Sequence, residues 1–119
     1  MTNVPLVRDI MVEAPFSFPP DMPAYDAVDK LIAKGAPGVP VIDEDKALIG
    51  FLTEKDCLRL LAVAHQYNMT GRTVRDIMSQ IKESLHPQMD LLTAAMRFLN
   101  CNFATLPVME DNHLVGSIT

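Results

Sequence analysis

The sequence has few of the features that mark membrane, secreted or nucleic-acid-binding proteins. Its apolar runs are short and broken by charge or proline, and none approaches the roughly 18 residues that cross a bilayer. The opening residues have no basic-then-apolar signal pattern, so we predict a cytoplasmic location. Basic residues are neither clustered nor in excess, and the net charge of -5 argues against binding to the phosphates of a nucleic acid duplex.

Cysteine and histidine are also sparse, and neither is spaced as a metal ligand. Cys57 and Cys101 have no CxxC partner and no histidine at ligand spacing, so we expect buried, reduced thiols. The histidines lie far apart along the chain, at His65, His86 and His113. We therefore predict no metal site. The sequence also has no GxSxG turn and no nucleophile with a placed base, so we predict that the chain is not an enzyme.

The chain does have the length and composition of one compact domain. It has 119 residues, of which 49% are hydrophobic and 21% charged, a balance typical of globular proteins. A length near 120 residues leaves little room for two independent domains. Any internal duplication is therefore expected to share a core.

Such a duplication is present. The motif VRDIM occurs at residues 7–11 and again at residues 74–78, a spacing of 67 residues (74 − 7). The same offset matches Ser17 with Ser84, Pro20 with Pro87, Met22 with Met89, Ala27 with Ala94, Pro40 with Pro107 and Val41 with Val108. After Glu44 the offset becomes 66 (116 − 50), and it matches Leu48 with Leu114, Gly50 with Gly116 and Thr53 with Thr119. A one-residue deletion among acidic residues is what a surface hairpin tolerates.

The first copy predicts a short series of elements. Residues 16–20 form an extended stretch punctuated by proline, and residues 22–34 have the apolar spacing of a helix. Two strands at 38–42 and 47–52, joined by an acidic turn, have a hairpin pattern. A second helix is predicted from about residue 53 to residue 67.

The second copy predicts the same order as far as it goes. It has an extended stretch at 84–87, helical spacing over 91–99, and strands at 104–109 and 114–118. The fold class is therefore α/β (α+β), with each copy arranged β-α-β-β-α. A small sheet backed by two helices buries one face only, so each copy is expected to pack against the other and leave clefts at their seam.

These residues resemble a known family, the CBS (cystathionine-beta-synthase) domain. The resemblance rests on the strands GVPVID and TLPVME, the acidic turn, and the element GFLTEKD at residues 50–56. It extends over nearly the whole chain from Val7 onward. It implies a tandem CBS pair, or Bateman module, with motif 1 at residues 1–68 and motif 2 at residues 69–119, related by a pseudo-twofold axis. The chain looks like a free-standing bacterial version.

The resemblance also implies a function. Such modules commonly bind AMP, ADP, ATP or S-adenosylmethionine in the cleft between the two motifs, as a regulatory ligand rather than a required cofactor, and they often form homodimers. Ligand binding to such a module regulates a partner, and the modules themselves are not enzymes. The alternative is a protein-interaction or oligomerisation module whose clefts are vestigial.

By resemblance, Thr53 contacts phosphate and Asp56 holds the ribose hydroxyls. The full set of candidate nucleotide-binding residues is Ser17, Gly38, Val39, Pro40, Thr53, Lys55 and Asp56. A second, weaker site comprises Ser84, Thr105, Leu106, Pro107 and Thr119. The family often has a basic residue before the apolar-Pro-Val strand, where this chain has Gly38 and Thr105. Lys55 and Arg59 are the nearest substitutes.

The sequence leaves an alternative for Thr53 and Asp56. Thr-x-x-Asp at a helix start is close to a capping box, in which the two side chains satisfy free helix amides. The helix N-terminus also suits a phosphate, so the two roles are compatible in part. The second copy stops at Thr119, before its counterpart of Asp56, and we expect the closing helix to be missing through truncation.

Overall fold

The structure is a computed structural model that describes residues 4–13, 15–64, 71–80 and 83–119. Its helices and strands, in chain order, are α1 (Val7–Ile10), β1 (Val12–Glu13), α2 (Ala24–Lys34), β2 (Gly38–Ile42), β3 (Leu48–Thr53), α3 (Glu54–Ala64), α4 (Val74–Ile77), α5 (Leu91–Leu99), β4 (Leu106–Glu110) and β5 (His113–Ile118). Among the described residues, no helix combines the length and apolar character needed to span a bilayer.

The chain divides into two compact units. Residues 16–81 form what we call the central unit, and residues 1–15 together with 82–119 form the terminal unit. The central unit holds the helices and strands of the first copy with the second VRDIM motif. The terminal unit holds the helix and strands of the second copy with the first VRDIM motif. Each unit therefore combines segments from both copies of the repeat.

The central unit is built on the hairpin of β2 and β3. These strands are antiparallel, with Gly38 opposite Thr53 and Pro40 opposite Phe51. The prediction of strands at 38–42 and 47–52 is confirmed to within a residue. In the turn, Oδ1 of Asp43 accepts hydrogen bonds from two backbone amides, at 2.9 Å each. This Asx-type turn accounts for the acidic residue at the hairpin end.

Two single bridges extend this hairpin on either side. Phe18 pairs with Val41 in parallel, and Ser79 pairs with Phe51 in antiparallel orientation. The extended stretch predicted at 16–20 therefore contributes one bridge rather than a strand. Prolines follow Phe18 directly, and a proline has no N–H to donate to a sheet.

Helix α2 packs its apolar face on the hairpin. The sequence predicts a helix from residue 22, but it begins at Ala24, because the carbonyl of Met22 accepts the Val74 amide instead. Gly35, with φ 66°, ends the helix in the left-handed conformation that glycine favours. The buried core of this unit comprises Phe18, Ala24, Ala27, Val28, Leu31, Val39, Val41, Leu52, Cys57, Leu60 and Val74.

The terminal unit contains a three-stranded antiparallel sheet in the order β1-β5-β4. A parallel bridge between Leu85 and Val108 repeats the one between Phe18 and Val41. The strands predicted at 104–109 and 114–118 are confirmed with shifts of one or two residues. Their turn places Asp111 and Asn112 at φ 52° and 65°, which is the two-residue hairpin geometry. The shorter turn explains the one-residue deletion in the second copy.

The repeated VRDIM motif forms a four-residue helix in both units. In α1 the carboxylate of Asp9 accepts the Leu6 amide at 2.8 Å, and in α4 Asp76 accepts the Thr73 amide at 2.9 Å. The aspartate of the motif therefore caps its own helix. The residues after each helix then run along the edge of a sheet.

A glycine in each unit allows this close approach. A Cβ at Gly50 would lie 2.6 Å from the sulfur of Met78, and one at Gly116 would lie 2.7 Å from the sulfur of Met11. Backbone oxygens at 3.0 and 2.9 Å crowd the same two positions. The two glycines are repeat mates, so the same packing requirement explains both.

Candidate functional site

The candidate site lies where β3 passes directly into α3. Thr53 is the last residue of the strand, and the next residue begins the helix. The Thr53 hydroxyl accepts the Asp56 amide at 3.1 Å, and Oδ2 of Asp56 accepts the Thr53 amide at 3.0 Å. The structure therefore confirms the capping box. Strand β2 lies beside this junction, since Gly38 is the register partner of Thr53.

Asp56 is almost fully buried, with 2% of its surface exposed. Its Oδ1 accepts a hydrogen bond from the Ser79 hydroxyl at 2.7 Å and another from Nη1 of Arg59 at 3.2 Å. The two donors differ in how firmly they are held and in how exposed they are to solvent. Ser79 is held by backbone hydrogen bonds in both directions to Phe51, at 2.9 and 2.8 Å, whereas the Arg59 side chain is 62% exposed.

Ser79 is a site residue that sequence reasoning missed. It directly follows the second VRDIM motif and lies 23 residues from Asp56 in the sequence. No spacing pattern links the two positions. The signal that could have found it is the repeat itself, because Val12 holds the matching place after the first motif, and only Ser79 can hydrogen-bond to a carboxylate.

The other candidate residues of this site have different surroundings. The side chain of Val39 belongs to the core and is 1% exposed, and Pro40 is also buried. Lys55 is exposed on the first turn of α3. The structure thus brings Gly38 and the Thr53–Asp56 box together and leaves Lys55 facing solvent.

Ser17 lines a different cavity of the central unit, at the acidic turn. That cavity has a volume of about 550 Å³, and its lining includes Asp43, Glu44, Asp45 and Arg75. The residue predicted to close the nucleotide pocket therefore lies in a mainly acidic environment. Such surroundings do not favour an anionic phosphate.

Cys57 follows Asp56 and faces the core. Burial, together with the neighbouring carboxylates of Asp56 and Glu54, raises the pKa of its thiol to about 11. A thiol of this kind is a poor nucleophile near neutral pH. It acts as a small apolar side chain, as the sequence predicts.

The second candidate site lies in the terminal unit. Thr105 is 5% exposed, and its hydroxyl lies 3.3 Å from the hydroxyl of Thr119. Leu106 and Pro107 are buried on β4, and Ser84 is half-buried. In the first copy, the mate of Thr119 is Thr53, which is bonded to Asp56 three residues later.

Among residues 4–13, 15–64, 71–80 and 83–119, no group of three or more His, Cys, Asp or Glu residues is placed to hold a metal ion. His86 accepts the Gln88 amide at 3.1 Å and lies 3.9 Å from Glu110, so it has a surface role. His65 lies outside the described residues.

Comparison with known families gives a match that covers most of the chain. The family model described as CBS domain matches residues 7–63 and again residues 74–119. Curated relatives include an uncharacterized protein of Methanocaldococcus jannaschii, MJ1225, which is 26% identical over 95% of this chain. The L-aspartate semialdehyde sulfurtransferase of the same organism is 25% identical over 98% of this chain. The chain spans only 39% and 22% of the lengths of these two relatives.

Solved structures give matches of similar length. CBSX2 from Arabidopsis thaliana has a TM-score of 0.86 and 28% identity, covering 98% of this chain and 89% of that one. A structure of CBSX2 in complex with AMP has a TM-score of 0.84. The CBS domain pair of protein MJ0100, in complex with 5'-methylthioadenosine and S-adenosyl-L-methionine, has a TM-score of 0.84 at 25% identity. That match covers 98% of this chain and 90% of the other.

Proposed function

Because the chain belongs to the CBS domain family, in two copies, we propose that it is a regulatory module that binds an adenosine-containing nucleotide. The observation that carries the proposal is the chemistry shared by its structural neighbours. AMP, 5'-methylthioadenosine and S-adenosylmethionine differ at the 5' position but all contain adenine and a ribose diol. A site that recognises this shared adenosine part depends more on a hydrogen-bond acceptor for the ribose diol than on a cation for a phosphate.

The acceptor in this proposal is Asp56. A carboxylate can accept two hydroxyl donors from one ribose, one on each oxygen. The start of α3 at Thr53 would face a 5' phosphate where the ligand has one, and Lys55 is the nearest exposed cation on that turn. Gly38, Val39 and Pro40 on the adjoining strand β2 would offer backbone groups to adenine, whereas Ser17, in the cavity at the acidic turn, is not part of this site.

The weaker site of the terminal unit would be formed by Ser84, Thr105, Leu106, Pro107 and Thr119. We propose that it is the weaker of the two sites. We also propose no catalytic activity for this chain. The sulfurtransferase relative is several times longer, and its activity is a property of that whole protein.

Isothermal titration tests the proposal directly. The protein would be titrated with AMP, ADP, ATP and S-adenosylmethionine, and we expect heat of binding from at least one. Asp56→Asn keeps the shape of the side chain but weakens its acceptor charge, so binding should fall at least about tenfold. Asp29→Asn, an exposed change on α2, is the matched control. No heat with any of the four ligands from a protein with a cooperative melt would overturn the proposal.

A second candidate function is supported by exposed apolar side chains. Ile32, Leu58 and Leu61 are exposed around a groove of about 210 Å³ between α2 and α3. Exposed apolar patches of this kind mark interaction surfaces. We propose that they contribute to a homodimer, under either functional reading. Sedimentation of Leu58→Glu should show a weaker self-association than the wild type, with Gln80→Glu as the control.

A further inference from the structure

The carboxylate of Asp56 has too few open acceptor positions for a ribose diol. An ionised carboxylate has about four acceptor positions, two on each oxygen. Among the described residues, Ser79 and Arg59 fill both positions on Oδ1, and the Thr53 amide fills one on Oδ2. One position is left, whereas a diol that binds both oxygens brings two donors. One of the present donors therefore has to leave.

The three donors differ in how easily they can be released. The Thr53 amide is part of the backbone at the helix start. Ser79 makes the shortest contact, at 2.7 Å, and its own backbone is fixed to β3. Arg59 makes the longest contact, at 3.2 Å, from a side chain that is 62% exposed. The Asp56 side of this ion pair is buried, but the guanidinium itself lies mostly in solvent and can return to water, so Arg59 is the donor that a ligand can displace.

We infer that the ion pair between Arg59 and Asp56 is an autoinhibitory contact, which the ribose diol of an adenosine ligand replaces. This inference rests on the proposed function. The released guanidinium stays within one side-chain length of the ligand and pairs with its 5' phosphate. Arginine suits this role because its planar donors match phosphate oxygens. Arg59 therefore pairs with Asp56 when no ligand is bound, and it contacts the phosphate when a phosphorylated ligand binds.

The exchange gives this chain a cation for phosphate in the absence of a basic residue at Gly38. Because of this exchange, the adenosine part and the phosphate part of the ligand should respond in opposite ways to the removal of Arg59. Adenosine would gain from the removal of Arg59, because a competitor is lost. AMP would lose, because the variant no longer supplies a charged contact to its phosphate.

The test compares adenosine with AMP on the full chain. Arg59→Met keeps a long, flexible side chain and removes the charge. Titration calorimetry should give a dissociation constant for adenosine about threefold lower than in the wild type. The preference for AMP over adenosine should fall about tenfold or more. Lys30→Met, which removes the same charge from the exposed side of α2, is the control and should leave the preference unchanged.

The outcomes separate the two levels of the proposal. Binding of adenosine by Arg59→Met alone, without binding by the wild type, supports the exchange. An unchanged AMP preference in Arg59→Met, with normal binding by the wild type, overturns the exchange and leaves the proposed function standing. Absence of adenosine and AMP binding by both proteins, each with a cooperative melt, overturns the exchange, and the titration with all four ligands then decides the proposed function.

Discussion

The hydroxyl of Ser79 lies 2.7 Å from Oδ1 of Asp56, and this contact joins the start of α3 to the segment that follows α4. The backbone of Ser79 is paired with Phe51 on β3 in both directions. The buried carboxylate is thus held by a donor whose position the sheet fixes. Its orientation depends on a part of the chain that belongs to the other copy of the repeat.

Replacement of Ser79 by alanine should lower the free energy of unfolding. The substitution leaves a buried carboxylate oxygen without its shortest hydrogen bond, which costs about 1–3 kcal/mol. Urea denaturation measures the loss. Ser79→Thr keeps the hydroxyl and should recover most of the stability, so equal midpoints for the alanine variant and the wild type would contradict this account of the contact.

Substitution of Gly50 by alanine should also be destabilising. The added Cβ would meet the Met78 sulfur at 2.6 Å and a backbone oxygen at 3.0 Å. Overpacking of this kind costs about 1–3 kcal/mol. Gly116→Ala should behave in the same way against Met11.

A double variant checks the cause of the Gly50 effect. Gly50→Ala combined with Met78→Ala removes the flexible part of the clash, so its loss of stability should be smaller than the sum of the two single losses. Thermal or urea unfolding gives all three values. Strict additivity would show that the sulfur contact is not the source of the strain.

The two thiols should differ in reactivity. At pH 8, a thiol with a pKa of about 11 is ionised to only about one part in a thousand, and Cys57 is also buried. We expect Cys57 to react with a thiol reagent only after unfolding, whereas Cys101, which is partly exposed, should react faster. The variant Cys101→Ser assigns the slow phase. Rapid labelling of folded Cys101→Ser would contradict the packing of Cys57.

The helix cap at Asp90 predicts a pH dependence of stability. The Thr93 amide donates to this carboxylate and lowers its pKa below the ordinary 3.8. Because the folded pKa is lower than the unfolded one, the cap stabilises the protein above about pH 4, and its effect is lost as the pH falls through the folded pKa. The Tm gap between the wild type and Asp90→Ala should therefore be large at pH 6 and small at pH 2. A constant gap would contradict a charged cap.

Much of the fold could be predicted from the sequence because the repeat displays each pattern twice. The hairpin at Gly38–Ile42 and Leu48–Thr53 follows from two short apolar runs joined by an acidic turn. The helix over Ala24–Lys34 follows from apolar spacing with a glycine just beyond it. These are local signals, and the structure shifts their ends by only one or two residues.

The rest depends on contacts that no local pattern records. The capping box of Thr53 and Asp56 is visible as a spacing of three residues. The bond from Ser79 forms only because a distant segment reaches the edge of β3. In the sequence, the aspartate of VRDIM is recognisable only as part of a repeat. The structure shows that its carboxylate accepts a backbone amide and caps the start of a four-residue helix. The proposed ligand class rests on resemblance to other CBS pairs and not on any residue pattern by itself.

The pairing of β1 with β5 has a consequence for synthesis on the ribosome. Val12 and Glu13 emerge early, but their partners Ser117 and Gly116 are translated more than a hundred residues later. The central unit can fold while the opening segment still waits, since residues 16–81 are made before the last strand. A nascent chain in which residues 16–81 have left the ribosome but β5 has not been made should therefore hold a finished central unit and an unpaired β1.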